Sequence, residues 1–342
     1  MPENSTAPAP LLRWGIIGCG DVCERKSGPA LARAAGSTLV AVMRRDAAAA
    51  ADFATRHGVA ASYGNVADLL ADPAVNAVYI ATPPASHAEL VAAAAAAGKR
   101  AILVEKPMAT SAAECDAMLT ACASHGVALY TAYYRRAYPK FKAARAAIVA
   151  DAIGRPLGAR LEMAAASGSG GWRVNDPRVA GAGGCIADVG SHRLDMLCYL
   201  LGGEPTGITG HADNLQRSYA AESDAVLVFR LGGALVSAHF HFGVVTPPRD
   251  VLVIYGTRGT LVFDPFDGPS FSIVSSRGDA TVHAFETPSP VHLPLVEAIV
   301  DDCARRSAGF DAAVDLVATP GAEGARASRI LDALFSSKQV RE

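Results

Sequence analysis

From Leu11 onward, short apolar runs alternate with longer segments whose apolar residues recur every three or four positions. The runs Leu11–Ile17, Thr38–Met43, Ala60–Ser62, Val75–Ala81, Ala101–Val104 and Val127–Ala132 are too short for buried helices and end at glycine, proline or charge, so they read as strands. Between them lie helical segments: one running to about Ala35, then Ala47–His57, Asn65–Leu70, one opened by His87, and Ser111–His125. In the last, Ala112, Cys115, Met118, Leu119 and Cys122 mark an apolar face. Strands alternating with helices predict right-handed crossovers and a parallel sheet.

Past Pro139 the rhythm changes. A helix over Lys140–Ala150 ends near Gly154, Leu157–Ala165 reads as a strand, and a glycine-rich loop follows over Ser167–Gly184. A helical stretch then runs to Leu201 and stops at Gly202-Gly203. Pro205 to about Phe285 is mainly strand-like, with strands at Asp224–Leu231, Ala234–Phe242, Asp250–Gly256, Thr260–Asp264 and Ser270–Ser275. Turns such as Gly232-Gly233 and Arg258-Gly259 predict a largely antiparallel sheet. Helices over Val291–Arg305 and Glu323–Ser337 finish the chain. The expected division is a disordered tail over 1–10, an α/β domain over 11–137, and an α+β domain over 138–342 with a large open sheet. An uncovered sheet face often becomes a subunit interface, which predicts a homodimer or homotetramer.

Composition narrows the partners. At 342 residues the chain exceeds one typical domain, and 51% hydrophobic residues suffice for large cores. A net charge of -2, a pI near 6.5 and the lack of a Lys/Arg tract offer no field for nucleic acid or an anionic membrane. The apolar run Val91–Ala97 is far short of the ~20 residues that span a bilayer. The first ten residues, MPENSTAPAP, lack the charged and apolar regions of a signal peptide. Seven cysteines without a C-x-x-C pair fit free thiols in a reducing cytoplasm. Cys19 and Cys23 have no further ligand beside them, and His239 and His241 lack a third, so no metal site is expected. Small molecules and copies of the chain itself remain as partners.

Chemistry concentrates at the ends of the strands. After the first comes Gly18-Cys19-Gly20-Asp21-Val22-Cys23, a G-x-G-x-x-G string with cysteine last, between a strand and a helix. Its first glycine permits the tight turn, and its second lets backbone approach a pyrophosphate at the helix N-terminus. This marks the α/β half as a Rossmann dinucleotide-binding domain. At the tip of the next strand an acidic residue would read the ribose hydroxyls of NAD, but Arg44-Arg45-Asp46 stands here. Arginine forks suit a 2′-phosphate, which favours NADP over NAD; the bland reading has both arginines in water and Asp46 capping a helix.

Further along, Ala81-Thr82-Pro83-Pro84 falls at the same sheet edge, and Thr82 and its neighbours are candidates to line the nicotinamide side. His87 is open to two readings, cofactor contact or helix cap. The strand Ala101–Val104 stops at Glu105-Lys106-Pro107, which delivers Lys106 to the carboxyl end of the sheet, where ligands bind in such folds. Tyr134 follows the last strand and either lines a substrate cleft or belongs to an interdomain hinge. Trp172-Arg173, in the glycine-rich loop, either contacts a hydroxylated or anionic ligand or anchors the loop. At 100° per residue, Asp188, His192 and Asp195 share a polar stripe opposite Leu194, Leu197, Cys198 and Leu201. A histidine one turn from a carboxylate suits proton transfer.

Together, G-C-G-D, A-T-P-P with His87, E-K-P and G-G-C-I-A-D-V-G-S-H-R-L-D resemble the glucose–fructose oxidoreductase and inositol dehydrogenase family, in the same order over nearly the whole chain. The resemblance implies a Rossmann domain followed by an open, mainly antiparallel sheet whose face mediates dimers or tetramers. It implies that Lys106, Asp188 and His192 form the catalytic group and that the Lys106–Pro107 bond is cis. The reaction so implied is hydride transfer between nicotinamide and a carbon bearing a secondary hydroxyl, on a sugar, polyol or cyclic diol. Gly18, Cys19, Gly20, Asp21, Val22, Arg44, Arg45, Ala81, Thr82, Pro83, His87, Glu105 and Lys106 would hold the cofactor. Tyr134, Trp172, Arg173, Asp188 and His192 would meet the substrate. Two departures stand out: Cys23 replaces the last glycine or alanine, and Tyr134 replaces a small polar residue before the arginine. The competing classes are a non-catalytic NADP-binding sensor, which would lack proton-transfer residues, and a hydrolase or epimerase using NAD transiently, which would show no net nicotinamide turnover.

Overall fold

The structure, a computed structural model, describes residues 11–165, 184, 186–215, 221–244, 247–309 and 316–336. Trp172 and Arg173 lie outside them. Six strands, β1 (Leu12–Ile17), β2 (Ser37–Met43), β3 (Ala61–Tyr63), β4 (Ala77–Ile80), β5 (Ala101–Val104) and β6 (Ala128–Thr131), form one parallel sheet in the order β3-β2-β1-β4-β5-β6. Every residue of β4 and β5 is buried, as expected of strands covered on both faces. The order reverses between β1 and β4, so the loops after these strands part around a crevice.

Caps set several helix starts. Asp46 accepts the Ala49 amide at 3.0 Å to open the helix Ala47–His57, Asn65 accepts the Asp68 amide at 2.9 Å before the helix Val66–Ala71, and Ser111 accepts the Glu114 amide at 3.2 Å before the helix Ala112–Ser124.

The second sheet has eight strands: β7 (Pro156–Ala165), β8 (Thr206–Asp213), β9 (Asp224–Leu231), β10 (Ala234–Phe242), β11 (Arg249–Gly256), β12 (Gly259–Phe263), β13 (Ser270–Ser275) and β14 (Ala280–Ala284). Their order is β14-β13-β12-β11-β7-β10-β9-β8, antiparallel except where β7 meets β10. The edge strands β8 and β14 are mostly exposed, and their apolar residues form no buried face, which is why the sequence pattern passes over them. Helices Pro139–Val149, Ser191–Leu201 and Gly321–Ser336 supply the core on one face. The other face leaves Leu157, Val226, Val228, Leu235 and Tyr255 exposed.

The cores do not divide where the chain does. The helix Leu293–Ser307 follows the second sheet in sequence, yet its Leu295, Val296 and Ile299 pack with Leu12, Trp14 and Leu39 of the first domain. Tyr130 of β6 donates to Asp302 of that helix at 2.6 Å. Residues 138–342 therefore do not form a separate body: part of them completes the first core.

Candidate active site

The glycine turn is built as its residues require. Gly18 has φ +88, a conformation glycine adopts without strain, and a side chain there would reach within 2.8 Å of Thr82 Cγ2. Gly18 and Cys19 donate their amides to the Met43 carbonyl at 2.9 and 3.2 Å, which ties the turn to the tip of β2. A Cβ on Gly20 would meet only the Gly18 carbonyl, at 3.9 Å, so its backbone faces open space. Asp21 is exposed and Val22 half-buried as the helix begins. A π-helical turn, Cys23–Ser27, then presses the Cys23 carbonyl to within 2.4 Å of where a Cβ on Gly28 would lie. Cys23 is itself fully buried at the third position of the motif, and the helix Gly28–Arg33 follows the π turn.

Arg44 and Arg45 are exposed beside this turn, and Asp46 is committed to capping the helix Ala47–His57. Ala81 continues β4 with its amide on the Ile17 carbonyl at 2.9 Å, and Ser86 follows Pro83 and donates to Thr82 Oγ1 at 2.7 Å. His87 is fully buried, with Nε2 at 2.9 Å from the Thr82 carbonyl and Nδ1 at 3.1 Å from that of Met108. The expected cofactor contact is not seen: each nitrogen of the ring lies against a backbone carbonyl, so the imidazole joins the turn after β4 to the turn after β5, and it caps no helix.

At the end of β5, Glu105 accepts the hydroxyl of buried Tyr79 on one carboxylate oxygen and the Lys106 amide at 3.2 Å on the other. The Lys106–Pro107 bond is cis. Lys106 Nζ donates to the Asp188 carbonyl at 2.8 Å and to its carboxylate, an ion pair whose side chains are 13% and 12% exposed. Asp188 lies in a π-helical turn, Ile186–Gly190, that leads into the helix Ser191–Leu201. That turn breaks the 100° spacing. Asp188, His192 and Asp195 consequently do not act as one stripe, and the residues Ser191–Leu200 are buried whether polar or apolar.

His192 is enclosed edge-on by Tyr133 and Tyr134, with ring centroids 5.7 and 5.2 Å away, and its Nδ1 has no hydrogen-bond partner. Burial first, then the positive charges of Arg135 and Lys106, hold its pKa well below 6.5, so the ring is neutral. Asp195 has another task. Its carboxylate takes Arg136 Nη2 at 2.7 Å and Nε at 3.0 and 3.1 Å, and Arg136 also reaches Glu323 at 3.3 Å. Arg136 belongs to the turn Tyr134–Ala137, so this pair fixes Tyr134 against the helix of His192.

A second network was not visible in the sequence. Arg135 grips Asp267 through two bonds of 2.7 and 2.9 Å, and Arg193 donates to Asp250 at 2.6 Å and Asp267 at 2.9 Å. These arginines hold the Asp267 carboxyl down at about 2. The Arg193 next to His192 is the only sequence signal for it. His241, read as structural, faces Asp224 at 2.9 Å. Among the described residues, no group of three or more His, Cys, Asp or Glu is placed to hold a metal, and no helix is long and apolar enough to cross a membrane.

His87, His192 and His292 are all buried and held below 6.5 by that burial. An unfolded chain would protonate them near 6.5 while the native chain resists, so stability is complete above that pH and falls as pH drops toward the native values. For His292, held at about 4, the loss reaches ~3 kcal/mol at the acid end. The Asp195 carboxyl, raised to about 6, takes up a proton on folding in this range and offsets part of that loss, so the urea midpoint is expected to be moderately lower at pH ~5 than at pH ~7, and a midpoint that rises on acidification would contradict the buried neutral imidazoles.

A family model described as an oxidoreductase family with an NAD-binding Rossmann fold matches residues 12–133, and a GFO/IDH/MocA C-terminal domain model matches residues 141–262. Oxidoreductase P35 of Formosa agariphila is 34% identical over 296 residues, 84% of this chain and 90% of that protein. The 1,5-anhydro-D-fructose reductase of Ensifer adhaerens is 30% identical and covers 91% of each. An oxidoreductase from Agrobacterium radiobacter, solved with NAD+, L-tartaric acid and magnesium, superposes with a TM-score of 0.81 at 23% identity, covering 96% of each chain.

Proposed function

The chain belongs to the GFO/IDH/MocA family of NAD(P)-dependent oxidoreductases acting on CH–OH groups, and on that premise we propose that it moves hydride between NADP(H) and a secondary alcohol or ketone of a sugar, polyol or cyclic diol. The observation that carries this reading is the meeting of two distant segments: Lys106 from the end of β5 pairs with Asp188, four residues before His192.

The residues fit a dinucleotide. The open backbone at Gly20, next to the start of a helix, is a cradle for a pyrophosphate that any side chain there would fill. Thr82, Pro83 and Lys106 stand at the same sheet edge, toward the nicotinamide. That ring, when bound, accepts or donates the hydride. In the oxidative direction the neutral His192 imidazole takes the hydroxyl proton, while the Lys106 ammonium stabilises negative charge growing on the same oxygen. Asp188 orients Lys106 through its carboxylate and its carbonyl. Tyr134 packs on His192 and gives the substrate an apolar wall, with Trp172 and Arg173 as further substrate contacts.

NADP is favoured because Arg44 and Arg45 are free at the tip of β2 while the nearest carboxylate is used as a cap. Replacing both with alanine is expected to weaken NADPH binding ~10–100-fold and NADH binding only slightly, since bonds to a charged phosphate are among the stronger ones. Equal losses for the two cofactors, in a fluorescence titration, would contradict the preference. The exposed apolar face of the second sheet is the surface for self-association as a dimer or tetramer. The reading as a whole is tested by supplying NADP+ or NAD+ with a panel of sugars, polyols and cyclic diols. Net growth of the reduced-nicotinamide absorbance is the expected result, and co-purified cofactor that never turns over would favour a transient-redox hydrolase or epimerase instead.

A further inference from the structure

His292 reaches the same cleft from a part of the chain to which no function has been assigned. It precedes the helix Leu293–Ser307 at its N-cap position, yet its side chain makes no capping bond. The ring turns instead onto Tyr134, with centroids 4.7 Å apart and planes at 34°, and Tyr134 in turn packs on His192. The charges acting on it are Glu105 and Lys106 at the end of β5, Lys26 after the glycine turn, and Arg135 beside Tyr134. It is 2% exposed, and its Nδ1 is buried with no hydrogen-bond partner. Buried polar atoms are almost always paired, and an exception calls for a reason. A core histidine has better options nearby: His87, equally buried, faces a carbonyl with each nitrogen.

We propose that His292 is a binding residue whose unpaired nitrogen meets a neutral polar group, either the carboxamide of the nicotinamide or a hydroxyl of the substrate, with Tyr134 and His292 forming one aromatic wall. The proposal rests on the redox reading of the cleft. Burial keeps the imidazole neutral, its pKa down at about 4, and a neutral ring suits an amide or hydroxyl rather than a phosphate.

The test compares His292→Phe, which keeps a ring but loses both nitrogens, with His292→Asn, whose amide sits near the position of Nδ1. NADPH and 2′-phospho-ADP-ribose, which lacks nicotinamide, are titrated calorimetrically, and KM is measured with a substrate from the panel. If the partner is the carboxamide, His292→Phe weakens NADPH about 3–10-fold, leaves the truncated nucleotide unchanged, and His292→Asn recovers most of the loss. If it is a substrate hydroxyl, both nucleotides bind normally and KM rises by about the same factor, again with recovery in His292→Asn. Nucleotide affinities and KM that stay within about twofold of the unsubstituted protein, or equal weakening of both nucleotides, would overturn the proposal. Calorimetry needs no turnover: an NADPH-specific loss in a protein that oxidises nothing on the panel would sink the redox reading and leave the binding role of His292 standing.

Discussion

Replacing Lys106 with alanine, or His192 with alanine, is expected to lower turnover by ~10²–10⁴-fold and leave NADPH affinity within a few-fold. The two losses have different origins. His192 is held neutral by burial and neighbouring cations, which leaves a ring nitrogen free to accept the hydroxyl proton as hydride departs, although the same charges weaken it as a base. Alanine leaves no group for that transfer among the tyrosines that surround the ring. Lys106 is held by two atoms of Asp188, which keeps its ammonium at one place at the sheet edge, and alanine removes the charge that would stabilise the developing oxyanion. Because neither residue belongs to the glycine turn, binding of the adenine half survives both changes. Effects of residues that act together do not add, so the double variant should fall little below the worse single one. Steady-state rates normalised to folded protein check this, and unchanged turnover in both variants would end the assignment.

The largest stability effect is expected at Asp195. Arg136 is wholly buried, and Asp195 provides its shortest contact, 2.7 Å, while Glu323 is at 3.3 Å and the Leu316 carbonyl at 3.4 Å. Asp195→Ala strands a guanidinium in an apolar core between two helices, which typically costs ~3–5 kcal/mol. Burial pushes the Asp195 carboxyl up to about 6 despite Arg136, so the pair itself is finely balanced and replacing both partners with apolar residues should cost much less than breaking it. A urea series gives the answer: a loss below ~1 kcal/mol for Asp195→Ala would show that Glu323 alone can hold the arginine.

How much of this was legible depended on how local the signal was. The first sheet was readable because each buried strand is a short apolar run ending in glycine, proline or charge, and its helices start at side-chain caps only three residues from their partners. Lys106 was readable for the same reason: Pro107 stops β5 and leaves the lysine at its end. The polar stripe of Asp188, His192 and Asp195 was only half right, since a π turn shifts the register before the helix, Asp188 and Asp195 pair with different cations, and His192 sits among tyrosines. β8 and β14 escaped because exposed edge strands need no apolar face. The Arg135–Asp267–Arg193 network and the return of the helix Leu293–Ser307 to the first core join residues far apart in sequence, and no local pattern announces them. His292 carried no motif at all. Only its burial against Tyr134 brings it into view.

The step on which the proposed function stands is direct passage of hydride between the nicotinamide and a carbinol carbon beside Lys106 and His192. NADPH deuterated at the transferring position of C4, supplied with a ketone whose alcohol is oxidised in the panel, follows that atom. One deuterium on the carbinol carbon of the product is the expected result, with the rate of that transfer collapsing in the Lys106→Ala and His192→Ala proteins. Product formed without deuterium, or transfer as fast in both variants, would refute it.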